Sequence, residues 1–281
     1  MKNLITYTLL FLLIGVSHPV IAQFGEPQVQ KKEVPRNLFD EGYKTGFGIN
    51  LSLSDFGFGA GGQFRFGLNS YSEALISLKI LGLKDPTEQT FIDYYFGFKT
   101  VPEKYQRVVA FPLHIGLKKR FFAEDISDNF RVFSSLSVGP TFALSYAYFN
   151  DSSENGFREN DAAIYGYSER INDVFSGFDE SETHWGLGGE FVIGVDFGEN
   201  FSNLSTIQFG YSMNYFADGI QVLEPCQPDL SRIGMAPTNP CGLGSTQVQV
   251  GPDSFAPLEK ANDPRKYFGT AQISFIFGWM W

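Results

Sequence analysis

The chain has 281 residues, 43% of them hydrophobic and 16% aromatic, with 30 Phe and 30 Gly. Its formal net charge of −10 argues against nucleic acid as a partner, because no basic surface is evident that could neutralise phosphates. Beyond the first residues, no run approaches the roughly eighteen consecutive apolar residues of a membrane-spanning helix. This composition instead fits strands with one apolar face and one small or polar face.

The start of the chain is predicted to precede the folded part. Residues 1–22 are typical of a secretory signal peptide, with a positive start, a largely apolar run over residues 4–16, and the small Ala22 for cleavage. Residues 23–42 are polar and have no sustained period, which predicts a short periplasmic lead-in. Residues 43–281 are predicted to form one folded domain.

That domain contains eight segments in which apolar residues occupy every second position, as in a strand with two different faces. In the first two, the phase flips across Ser54 and Asp55, which predicts a two-residue turn with Leu53 and Phe56 both facing outward. The phase is unchanged across Gly139, so the fifth segment is predicted to be one strand. The predicted strands are residues 43–53, 56–68, 73–82, 108–121, 130–148, 185–197, 205–215 and 267–281.

The last segment has the clearest alternation, since its outward positions end in Phe277, Trp279 and Trp281. It resembles the closing strand of a bacterial outer-membrane barrel, in which this pattern is the signal read by the assembly machinery. The resemblance implies the barrel assembly machinery as a partner during folding.

The eight segments predict an all-β fold, an eight-stranded antiparallel up-and-down transmembrane β-barrel, because each is about long enough to cross a bilayer. The connections after strands two, four and six are short, and those after strands three, five and seven are long. This asymmetry predicts a location in the bacterial outer membrane, surrounded by its lipid and lipopolysaccharide. Residues 91–99 (FIDYYFGFK) are also strand-like, and could form a hairpin above the membrane or indicate ten strands.

Two motifs resemble a known family. Residues 111–121 (FPLHIGLKKRF) and 137–141 (SVGPT) are similar to the outer membrane protein β-barrel domain family of Bacteroidota, which includes PorT-like proteins. The resemblance covers most of the mature chain and implies the barrel fold. The family has no shared catalytic residues to carry over, and its better-known members are implicated in secretion across the outer membrane.

Charged residues on inward strand positions are predicted to form an ion-pair network. An eight-stranded barrel is only wide enough for side chains to fill its interior, and an unpaired buried charge is costly. A narrow conducting path is the alternative, since many inward positions are Gly and leave room for water. The predicted network consists of Lys44, Arg65, Glu73, Lys79, Lys118, Arg131, Glu190 and Asp196.

No catalytic, cofactor or metal site is predicted. After removal of the signal peptide, only His114 and His184 remain, and neither has a nucleophile or second base at supporting spacing. Glu182 and His184 are too few ligands for a specific metal site. The loop over residues 150–183 is acidic, which indicates a solvated face, although divalent cations could bridge it to lipopolysaccharide.

Cys226 and Cys241 are the only cysteines, and both lie in the third long connection. Export places them where disulfides persist, so we predict a local bond that closes a loop of about fifteen residues and contributes roughly 3 kcal/mol. The alternative is two free thiols.

These patterns favour a structural or interaction role through long extracellular loops. The alternatives are a small channel or a secretion-associated barrel, and an outer-membrane enzyme is disfavoured. No ligand or protein partner follows from the sequence.

Overall fold

The computed structural model describes residues 36–92, 99–123, 125–126, 128–198 and 201–281, so the predicted signal peptide and most of the lead-in lie outside the described residues. Eight antiparallel strands close into one barrel, each bonded to the next barrel strand and the last to the first. This confirms the predicted all-β fold with up-and-down topology. The barrel strands are β1 Thr45–Ser54, β2 Gly57–Asn69, β3 Ser72–Leu83, β6 Gln106–Arg120, β7 Phe130–Ala147, β8 Glu182–Phe197, β9 Asn203–Ile220 and β13 Arg265–Met280.

The remaining elements lie in the long connections. In the first long connection, β4 (Phe91–Ile92) and β5 (Lys99–Thr100) pair as a short antiparallel sheet. Neither strand is part of the closed barrel, so the ten-stranded alternative is wrong. Residues 93–98 lie outside the described residues. The third long connection forms a three-stranded sheet that the sequence analysis did not predict. The third connection contains β10 Cys226–Pro228, a 3-10 turn at Leu230–Arg232, β11 Gln247–Gly251 and β12 Ser254–Lys260. The second contains helix α1 Ala162–Tyr165 and a 3-10 turn at Phe178–Glu180.

The outward face of the barrel is apolar over its whole circumference. Ile115 is 62% exposed and Trp185 70% exposed, although both are large hydrophobic side chains. The Tyr215 and Tyr267 rings pack against each other at a tilt of 37°, with centroids 4.7 Å apart, at the end of the barrel that carries the long connections. A continuous apolar band with aromatic residues at its edge is the surface of a barrel whose solvent is lipid. In the described part of the chain, no helix is long and apolar enough to cross a membrane.

The turn between β1 and β2 lies one residue later than predicted. Ser54 pairs with Gly57 and Leu53 pairs with Phe58, so the two turn residues are Asp55 and Phe56. Gly57 has a φ of 114°, which it adopts without the strain of a side chain. Phe56 is therefore inside the barrel and 7% exposed, and not on the outward face. Leu53 and Phe58 do share the outward face.

Candidate functional site

Four of the predicted interior charges form one cluster near the inner end of the barrel, the end with the short turns. Arg65 Nη1 lies 3.2 Å from Asp196 Oδ1 and 3.9 Å from Glu73 Oε2. Lys118 Nζ lies 3.3 Å from Glu73 Oε1 and forms a second ion pair with Asp196. Each cation thus contacts both carboxylates, and the four charges cancel within the cluster.

Neutral groups complete the coordination of this cluster. Arg65 donates to Gln63 Oε1 at 3.1 Å and to Thr206 Oγ1 at 3.0 Å, while Thr206 donates its hydroxyl hydrogen to Asp196. The Lys118 ammonium also lies 4.2 Å from the centre of the Phe133 ring. Because these residues come from β2, β3, β6, β7, β8 and β9, the cluster joins opposite walls of the barrel.

A second ion pair lies further along the interior, where Lys79 Nζ is 2.6 Å from Glu190 Oε2. Beside it, Thr141 donates to the Asn214 side chain at 2.8 Å. His114 is 1% exposed, and within the described residues its Nε2 has no hydrogen-bond partner. This middle layer is polar and closely packed around Gly188, where a Cβ atom would lie 2.6 Å from three of these side chains.

Two members of the predicted network do not pair inside the barrel. Lys44 is exposed, because β1 begins only at Thr45, and it has no ion pair in the part of the chain that is described. Arg131 is buried, but it donates to the backbone carbonyls of Asp128 at 2.6 Å and Gly198 at 2.7 Å. Arg131 therefore ties two inner turns together.

The outer end of the interior is closed by apolar side chains, which the sequence analysis missed. They project inward from the ends of the strands that carry the long connections. The last strand carried a sign of this layer, because Phe268 is the one aromatic residue among inward positions 268–280 that are mostly small or polar. The buried cluster consists of Phe56, Leu83, Val108, Ala110, Ala143, Phe216, Ile220, Val222 and Phe268.

The outer loops have a small core of their own. The predicted disulfide is present, with the Cα atoms of Cys226 and Cys241 6.3 Å apart. Cys226 is fully buried and belongs to β10, so the bond anchors the segment after it to the three-stranded sheet. Residues from the second and third long connections pack together here, namely Cys226, Cys241, Val248, Leu258, Phe157 and Tyr165.

All three long connections meet at Glu224, which is 5% exposed. Its Oε1 accepts the backbone N–H of Arg158 at 3.2 Å, and its own N–H donates to Glu103 O at 2.7 Å. Its carbonyl accepts from the Asn262 side chain at 2.9 Å. Burial raises the pKa of Glu224 to about 8, and the nearby carboxylate of Glu103 acts in the same direction.

The acidic second loop is only partly the solvated face that was predicted. Glu169 is 4% exposed and accepts the backbone N–H groups of Ser152 at 2.9 Å and Glu159 at 3.0 Å. Glu159 is itself buried and accepts from the Asn155 side chain at 3.0 Å. Among the described residues, no three His, Cys, Asp or Glu side chains are placed to hold a metal ion.

The exposed surface at the outer end is nevertheless acidic. The exposed bases in this region of the described chain are Arg170, Lys260 and Lys266. The exposed acids are Asp55, Glu103, Glu154, Asp161, Asp173, Glu180, Glu182, Asp218, Asp253, Glu259 and Asp263.

Comparison with models of protein families gives no match, and comparison with curated protein sequences gives none either. Among solved structures, the chain is similar to Neisserial surface protein A, at 10% identity and a TM-score of 0.32, over 83% of this chain and 93% of that one. It is also similar to Ail, the attachment invasion locus protein of Yersinia pestis, solved with the heparin analogue sucrose octasulfate. There the identity is 10% and the TM-score 0.29, over 84% of this chain and 95% of that one. Similarity at this level says nothing about the activity of this chain.

Proposed function

We propose that the protein is an integral protein of the bacterial outer membrane and that its structural or interaction role is exerted through its extracellular loops. The observation that carries this proposal is the contrast between the two parts of the molecule. The interior is filled by ion pairs, polar side chains and an apolar layer. The long connections, in contrast, have their own sheet, disulfide and buried hydrogen bonds. Loops with a sheet and a core of their own on a filled barrel favour recognition at the surface over transport.

The small-channel alternative is disfavoured by the same interior. An ion would have to cross both the apolar layer around Phe216 and Phe268 and the paired charges around Asp196. We therefore expect the protein, reconstituted in planar lipid bilayers, to give no stepwise conductance under conditions in which a porin does. Reproducible steps that persist after repurification would overturn the surface role and favour the channel.

Orientation is testable with epitope tags. Both termini of the barrel and its short turns lie at one end, which we assign to the periplasm, so the long connections face outward. A tag inserted beside Asp253 should be labelled by antibody on intact cells, and a tag beside Asp125 only after the outer membrane is permeabilised. Labelling of the Asp125 tag on intact cells would reverse the orientation.

The remaining assignments follow from this location. The apolar outer face would contact outer-membrane lipid and lipopolysaccharide, and the last strand would be read by the barrel assembly machinery. Membership of the PorT-like family of Bacteroidota, and with it a role in secretion, is supported only by residues 111–121 and 137–141. Neither an enzymatic activity nor nucleic acid binding is part of the proposal.

A further inference from the structure

Between β13 and β3, the barrel wall ends closer to the membrane than elsewhere on the outer rim. The β1–β2 hairpin ends in the two-residue turn at Asp55 and Phe56, whereas the other outer connections are long. Pairing of β1 with β13 stops at Ser54 and Gln272, although β13 begins at Arg265. Residues 266–271 of β13 therefore extend beyond the end of β1.

These residues form a strand edge that is paired on one side only. The paired side faces β9, where Tyr267 lies opposite Tyr215 and Ala271 opposite Tyr211, and the register is irregular between Arg265 and Tyr267. Within the described residues, no backbone hydrogen bond reaches residues 266–271 from the β1 side. Two of their carbonyls accept side-chain hydrogen bonds, Tyr267 O from Arg265 Nε at 3.2 Å and Ala271 O from Thr270 Oγ1 at 3.0 Å, and an added strand would have to displace these. An unpaired edge presents a row of N–H and C=O groups that another chain can join, and near lipid such groups are costly to leave bare.

A cleft of about 660 Å³ lies next to this edge, above the β1–β2 turn. Phe56, Leu83 and Val108 contribute to its apolar lining. Tyr146, on the opposite strand β7, and Tyr148, just after the end of that strand, also line it. Gly269 also lines the cleft. Gly269 has no side chain, and the Tyr211 ring covers its outward face, so only the backbone of Gly269 forms this part of the wall.

The charged groups around the cleft are largely engaged within the protein. Lys104 Nζ lies 2.7 Å from Glu88 Oε2, and Arg265 Nε lies 3.6 Å from Asp85 Oδ2. Arg107 donates to the backbone carbonyls of two second-loop residues at 2.8 Å each. An occupant can therefore contact the apolar lining without displacing an ion pair. The tyrosine rings are already packed, Tyr148 against the Arg107 guanidinium at 4.8 Å and Tyr146 against the Phe178 ring at 4.7 Å.

We propose that this notch, defined by the edge at residues 266–271 and the adjoining cleft, binds an extended peptide segment of another protein. The segment adds to β13 as an antiparallel or parallel strand and places an apolar or aromatic side chain in the cleft. The proposal deepens the interaction role proposed above, and it uses the barrel rim in place of the loop tips.

The edge and the cleft together select this occupant. A lipid acyl chain fills an apolar cleft but offers neither donors nor acceptors to the β13 edge. An extended peptide supplies both, and its side-chain period of two directs every second residue toward the cleft. A second copy of this chain would have to bring its own free edge, which makes self-association a separate outcome of the test.

The probes are three fluorescent peptides with the capped sequence Thr-Val-Thr-Phe-Thr-Val-Thr. One is unmodified, one is N-methylated at its odd backbone amides, and one at its even amides. Only one set of amides of an added strand faces the edge, so we expect one methylated peptide to bind the purified full-length protein at least about tenfold more weakly than the other. Equal affinities, or no binding of the unmodified peptide, would overturn the proposal.

A matched pair of protein variants locates the site. Inserting Val-Thr-Val-Thr-Val-Thr after Ser54 and Thr-Val-Thr-Val-Thr-Val before Gly57 lengthens the β1–β2 hairpin so that β1 covers residues 266–271 of β13, and this should weaken peptide binding about tenfold. The same twelve residues inserted beside Gly234, in the disulfide-closed loop, should leave the affinity unchanged. Heat-modifiable migration on gels is the check that both variants fold.

The outcomes separate this proposal from the proposed function. If the variant with the lengthened hairpin bound the peptide undiminished, the peptide would not bind at the notch. If the unaltered protein dimerised in sedimentation and this variant did not, the edge would bind a second copy of the chain. Either result contradicts the notch without altering the surface role. Stepwise conductance would contradict the surface role without changing peptide binding.

Discussion

Replacing Asp196 with Ala is expected to destabilise the barrel by about 3–5 kcal/mol. Asp196 contacts both Arg65 and Lys118, and all three side chains are nearly inaccessible to solvent. Without it, Glu73 alone must balance two buried cations, and the Arg65 pair with Glu73 is the longer one at 3.9 Å. The cost arises mainly because an uncompensated positive charge stays buried, and only partly because an attraction is lost.

Urea unfolding of the protein in phospholipid vesicles, followed by the gel shift of the folded barrel, measures this effect. Asp125→Ala, which removes an exposed carboxylate from an inner turn, is the control and should change the free energy of unfolding by less than about 0.5 kcal/mol. The double variant Asp196→Leu with Lys118→Met should recover much of the loss, because it removes one charge of each sign. A loss below about 1 kcal/mol for Asp196→Ala would contradict a tightly paired cluster.

The barrel itself could be predicted from the sequence because lipid outside and polar residues inside impose a period of two on every strand. The same period placed Arg65, Glu73, Lys118 and Asp196 on the inward face. It could not say which of them meet, because Arg65 and Asp196 are 131 residues apart and their contact depends on the stagger of the closed sheet. Lys44 was misplaced because periodicity does not fix the residue at which a strand begins.

The outer parts were less predictable for a different reason. Strands β10, β11 and β12 cross no membrane, so no alternation of environment marks them in the sequence. Their sheet depends on contacts between distant segments, such as the packing of Phe157 and Tyr165 of the second loop against the buried cluster of the third. The inward apolar layer was missed because Phe216 lies beyond the predicted end of its strand, which continues to Ile220.

The packing of the outer loops is expected to weaken as the pH rises from about 4.5 to about 8. The pKa of Glu224 is about 8 in the folded loops, against an ordinary value of 4.5. Between these two values the folded loops keep a proton that the opened loops lose, so the free energy of opening falls as the pH increases. The full difference is on the order of 5 kcal/mol, reached when Glu224 is ionised in both states.

Hydrogen exchange of the loop amides, measured from pH 5 to pH 9 and corrected for the intrinsic rate, reports this opening. Glu224→Gln keeps an acceptor for the Arg158 N–H but cannot ionise, so most of the pH dependence should disappear. A smaller slope of the same sign should persist, because burial also raises the pKa of Asp151 and of Glu169. Glu259→Gln, at an exposed position of β12, should retain the full pH dependence of the unaltered protein. If Glu224→Gln opened with an unchanged pH dependence, the proton at this junction would not be what holds the three loops together.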